Sequence, residues 1–210
     1  MKRLLWPLPG VTAIFLAVLM TASASAGVRI TVDPNAQYGA HTAWVNLVGE
    51  NGSQGLVMDN SAPPGAGVPG SFAAAKVSGT NGLSTTGIQL AYDLHEPSGP
   101  GTKCQPSQFP GGPWVGPPDV PSFNVEVVYP NGSHHAFWLS CAGATKTPAS
   151  ATNWTTYSFT TEAGVLAGGS VRGMAVFFDA AARVTLDNIC VNGTVVGGRG
   201  TTESSTRATC

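Results

Sequence analysis

The chain is 210 residues long and only 10% charged, with 10 Lys+Arg against 11 Asp+Glu and no run of either sign. A nucleic-acid-binding face needs clustered basic residues, and an anionic membrane surface makes the same demand, so both partner classes are disfavoured. The length suits a leader followed by one domain able to bury its own core without metals or staples.

Residues 1–26 have the form of a secretory signal peptide. Lys2 and Arg3 precede an apolar run over 11–20, and Ala24-Ser25-Ala26 is a small-residue cleavage site. The run is shorter than the ~20 residues a membrane-spanning helix needs. Export with cleavage near Ala26 is expected. It leaves a β-sandwich domain over 27–196 and a polar tail over 197–210, with eight basic residues against eleven acidic.

Residues 28–33 alternate apolar and polar before Pro34, which predicts a first strand. Residues 43–48 form a second, closed by Glu50-Asn51-Gly52-Ser53, and 56–59 answer it as a short partner. Residues 72–77 suit a strand, although their alanines also allow a helical turn. Ile88, Leu90, Tyr92 and Leu94 then face one way, with Gln89, Ala91 and Asp93 opposite, the pattern of a half-buried strand. The following stretch, 96–121, holds eight prolines, and a loop that long inside a compact domain is functional or anchored.

Phe123, Val125, Val127 and Tyr129 alternate with polar residues, and 135–141 return after Asn131-Gly132, which supplies positive φ angles for a tight turn. Residues 155–161 give another strand, 162–170 at most one helical turn, and the almost wholly apolar 171–179 a central strand. The run 184–193 closes the series. Its apolar positions shift from even (Val184, Leu186) to odd (Ile189, Val191), as a β-bulge would cause. No segment keeps helical spacing over three turns. Eight to ten short strands between turn signals predict an all-β jelly-roll sandwich.

The four cysteines lie in the exported part, so two disulfides are expected, with three possible connectivities. Cys104–Cys141 would tie the proline-rich loop to a strand end, and Cys190–Cys210 would hold the polar tail; this pairing is favoured. A zinc site is the rival, but no C-x-x-C spacing is present.

Leu90-Ala91-Tyr92-Asp93, Pro121-Ser122-Phe123-Asn124-Val125, the Gly132…Phe137…Cys141 hairpin, Trp154, Val176-Phe177-Phe178-Asp179 and Leu186-Asp187-Asn188-Ile189 carry a family resemblance. Together they resemble a largely uncharacterised group of secreted actinobacterial proteins with a galactose-binding-like jelly roll, akin to carbohydrate-binding modules. The resemblance implies a closing strand whose aspartate helps to hold a structural calcium, which makes Asp187 the metal candidate. Oxygen ligands such as Asp33, Glu50 and loop carbonyls would complete such a site. The alternative is that Asp187 points outward and caps a neighbouring turn, while Asn188 satisfies backbone at the bulge.

Neutral polysaccharides are recognised by aromatic faces flanked by a few hydrogen-bonding groups. Trp138 lies out of phase with Phe137 and Leu139, and Trp114 sits in the proline-rich loop; His95 and Glu126 complete the candidate ligand set. Trp44, Trp138 and Trp154 are alternatively core residues. His95 and Glu96 beside Asp93, or Glu126 with a second carboxylate, could serve acid–base chemistry. No hydrolase nucleophile motif is present, and His134-His135 suit a solvated turn better than a metal site.

The sequence thus predicts an exported, non-catalytic binding module whose ligand is carbohydrate of the cell envelope or surroundings. The alternatives are a surface or adhesion protein that binds another protein, and a jelly-roll glycoside hydrolase or lyase.

Overall fold

The computed structural model describes residues 29–37, 40–61, 72–98, 121–160, 162–180, 182–197, 201–202 and 210. The leader expected over 1–26, Cys104 and Trp114 lie outside these residues. The fold is all-β: an antiparallel jelly-roll sandwich of two sheets. In chain order the strands are β1 (Thr31–Gln37), β2 (His41–Val45), β3 (Gly55–Asp59), β4 (Phe72–Ser78), β5 (Leu90–His95), β6 (Ser122–Val128) and β7 (His134–Leu139). There follow β8 (Thr145–Pro148), β9 (Trp154–Ser158), β10 (Ser170–Phe178), β11 (Arg183–Val191), β12 (Thr194–Gly197) and β13 (Thr201–Thr202). Among the described residues, helical structure is limited to two 3-10 turns, Glu50–Gly52 and Glu162–Leu166.

One sheet has the order β1-β4-β10-β6-β7. The first strand runs on through Pro34, which is tolerated because β1 is an edge. The alanine-rich segment is a strand, and its small residues have a structural reason. Ala73 and Ala74 lie in register with Phe178 and Phe177 of β10, so small side chains leave room for two large rings. As its apolar run predicts, β10 is central. The β6–β7 hairpin also forms, but its turn differs from the expected one: Gly132 alone has positive φ. The Gly132 amide donates to the Tyr129 carbonyl, and Asn131 Oδ1 accepts from the Ser133 amide. Both positive φ angles of a two-residue Asn-Gly turn occur instead at Asn192-Gly193, between β11 and β12.

The other sheet has the order β13-β12-β11-β5-β9-β8, with β3 also paired to β11 and β2 to β3. Strand β8 has no apolar alternation and was not legible; all four of its residues are exposed. At β11 the expected bulge is present. Arg183–Leu186 pair with β3, Ile189–Val191 pair with β12, and the register against β5 shifts between Asp187 and Cys190. Asn188 takes φ 48° at that point, a left-handed value its short amide tolerates. The kink lets Val184, Leu186, Ile189 and Val191 all enter the core.

The core fills the space between the sheets around Tyr92, Phe123, Tyr157, Phe159 and Phe178, none more than 1% exposed. Tyr92 stacks on Tyr157 at 5.6 Å and meets Phe159 at 5.3 Å and Phe123 at 5.9 Å. Strand β5 departs from the half-buried expectation, because Ala91 and Asp93 on its second face are also fully buried. Ala91 packs in a small satellite cluster with Cys190, Val195 and Cys210.

Cys190 and Cys210 form a disulfide across a sequence separation of 20. Cys210 also accepts from the Gly193 amide through Sγ and from Ser158 Oγ through its carbonyl. Cys141 is disulfide-bonded as well, and Cys104, its expected partner, lies outside the described residues. In the chain-entropy model a loop of this size stabilises by about 3 kcal/mol. Cys210→Ser is therefore expected to lower the unfolding free energy by about that amount in urea titration, and a loss below ~1 kcal/mol would refute the tethering role.

Candidate functional site

The outer face of the five-stranded sheet carries the exposed functional groups. Alternation turns Val125 and Val127 of β6 into the core and Asn124 and Glu126 outward. On β7, Leu139 turns inward while Trp138 turns outward and is 54% exposed. Trp138 is in register with Asn124, and Glu126 with Ala136. Next along the sheet, Ala175 faces Asn124 and Gly173 faces Glu126. Small residues thus make a low floor beside one large ring.

The indole is held by its neighbours. Phe177 of β10 meets Trp138 edge-on at 4.8 Å and 82°, and Phe72 of β4 meets Phe177 at 4.6 Å and 32°. Edge-to-face contacts of this kind are favourable and fix ring orientation. The three rings form a contiguous band across the strands, but they are not coplanar.

A polar group stands beside the band. A register shift in β10 between Val171 and Gly173 puts Arg172 on the outer side, although Val171 and Met174 both face the core. Arg172 Nη1 donates to Glu126 Oε1 at 2.9 Å and lies 2.9 Å from His134 Nδ1. His134 Nδ1 is itself 3.9 Å from Glu126 Oε1. Glu126 is thus paired with a guanidinium.

Of the candidate ligand residues, Trp138 and Glu126 share this face. His95 does not. It lies on β5 beyond the core residue Leu94, on the outer side of the other sheet, with its ring 5.2 Å from Trp154. Trp114 lies outside the described residues. Trp44 is half-buried against the core and donates through Nε1 to the Val32 carbonyl, while Trp154 is buried. Trp154 also lines a cleft of about 430 Å³ with Glu96 and residues 148–155. Sequence reasoning missed Arg172, Asn124, Phe177 and Phe72. Only Asn124 and Phe177 carried a signal, each lying out of phase with apolar neighbours.

Asp187 sits on the opposite face, in a buried carboxylate network. Its Oδ1 accepts from the Asn188 amide, and its Oδ2 accepts from the Glu50 amide and from Ser53 Oγ. A Cβ at Gly49 would come 2.7 Å from the same Oδ2, so glycine is required there. Asn188 Nδ2 donates to both Glu50 Oε2 and Asp93 Oδ2, at 2.7 and 2.8 Å. Thr156 Oγ1 supplies Asp93, and Ser150 Oγ and the Ala151 amide supply Glu50. Each carboxylate is met by N–H and O–H donors, which anchors the loops around 50 and 150 to the strands. Asp33, the other expected calcium partner, is on the far sheet and accepts from Thr31 and Ser78. Among the described residues no three His, Cys, Asp or Glu side chains are placed as metal ligands, and Asp187 serves here as a hydrogen-bond acceptor.

No family model matches the chain, and neither does any curated protein. Among solved structures it is similar to a family 11 carbohydrate-binding module of a cellulosomal cellulase from Clostridium thermocellum. The identity is 12% and the TM-score 0.42, over 80% of this chain and 88% of the module. It is also similar to the CBM22-1–GH10 modules of the Clostridium thermocellum endo-1,4-β-D-xylanase 10B, solved with xylohexaose. There the identity is 13% and the TM-score 0.42, over 82% of this chain and 28% of that one.

Proposed function

We propose that the protein is an exported carbohydrate-binding module and that its ligand lies on the outer face of the five-stranded sheet. The observation that carries this reading is Trp138, a largely exposed indole buttressed edge-on by Phe177 above a floor of small residues. Its apolar face suits the C–H face of a pyranose ring. Asn124, Glu126 and Arg172 stand beside it with the donors and acceptors that sugar hydroxyls need. Because the rings are tilted by 32° and 82° to one another, they cannot all lie against a flat crystalline surface. A single solvated chain crossing the strands is the better fit. The disulfides agree with an oxidising compartment, and hence with export.

The test is binding to a panel of soluble polysaccharides, by affinity electrophoresis and calorimetry. Trp138→Ala is expected to weaken binding at least tenfold, about 1.4 kcal/mol, with the unfolding midpoint kept. Absence of binding across a broad panel, or full binding by Trp138→Ala, would count against the reading.

A further inference from the structure

We infer that the Trp138 face is switched by pH through His134, whose neutral imidazole holds Arg172 against Glu126; this rests on the reading of that face as the ligand surface. A guanidinium can only donate hydrogen bonds. His134 Nδ1, at 2.9 Å from Arg172 Nη1, therefore accepts and carries a lone pair. Arg172 Nη1 stands between two acceptors, this nitrogen and Glu126 Oε1.

A proton on Nδ1 turns that acceptor into a donor and places two positive charges at the same short distance. The contact is lost, and the new cation draws Glu126, already 3.9 Å away, from Arg172 to itself. The charged groups facing His134 are Glu126 from β6 and Arg172 from β10. Lys76 of β4 lies on the same face beyond β10, and His135 points to the other side, against Tyr129. Protonation thus redraws the polar group beside Trp138 and leaves the aromatic band in place. A ligand held by the Arg172–Glu126 pair is therefore bound while Nδ1 carries its lone pair and released when acid protonates it.

Affinity for a soluble polysaccharide bound at pH 8 is expected to fall about tenfold by pH 5. His134→Gln keeps an acceptor for Arg172 but cannot titrate, so its affinity should be the same at both pH values. A pH-independent wild type would overturn the switch while leaving the carbohydrate reading intact, as would a His134→Gln variant that kept the wild-type dependence. Nitrogen NMR of the imidazole gives a readout that needs no ligand. The Nε2–H tautomer is expected at pH 8, and an Nδ1–H tautomer would overturn the inference whatever the protein binds.

Discussion

Asp187→Ala is expected to destabilise the protein by about 3 kcal/mol, the scale for leaving buried donors without their charged acceptor. The carboxylate, itself 2% exposed, serves the amides of Glu50 and Asn188 together with Ser53 Oγ. Losing it also loosens the 3-10 turn Glu50–Gly52, and with it Glu50, which holds Ser150 and Ala151. Asp187→Asn keeps one acceptor oxygen and should cost roughly half as much. Urea unfolding of the three proteins checks this, and a loss below ~1 kcal/mol for the alanine variant would show that the 49–53 segment is held by other contacts. The same samples decide between anchor and cation ligand. EDTA should leave the wild-type Tm in place, whereas a drop restored by added calcium would return Asp187 to metal binding.

Tyr92→Ala should cost about 4 kcal/mol, as truncation of a fully buried aromatic does. The ring touches Tyr157, Phe159 and Phe123, so it couples β5 and β9 of one sheet to β6 of the other. Tyr92→Phe separates packing from the hydroxyl. It removes the hydroxyl with its hydrogen bond to the Pro121 carbonyl and keeps the ring, for about 1 kcal/mol. Equal losses in the two variants would mean that the hydroxyl, not the ring, carries the effect.

Local alternation was enough to find most strands and even the bulge in β11, because its apolar residues change parity across Asp187-Asn188. The β10 bulge was hidden. Met174, Val176 and Phe178 set an inward parity that would also turn Arg172 to the core, and only the register against β6 shows otherwise. The pairing of Glu50 with Asp187 was legible, but the burial of both and the place of Asp93 beside them were not, for a related reason. A charged residue in an alternating strand is assigned to solvent, yet the segments around 50 and 150 cover this face through hydrogen bonds between residues 95 to 138 apart along the chain. Sheet membership is likewise a long-range property. Nothing near His95 or Glu126 in the sequence says that they stand on opposite sides of the sandwich.

The split pairing of β11 has a kinetic corollary. Within the described residues, β11 is the only strand that pairs both with the β2–β3 hairpin and with the β5–β9–β8 group. It enters the chain only at residue 183, yet its partners begin at 55 and 90. A nascent chain that has not yet produced β11 holds two unjoined fragments of the larger sheet. Sheets closed by such distant pairings fold slowly, since the loop entropy must be met before the contacts form. The larger sheet therefore stays open until β11 has been made, however early its other strands are in place.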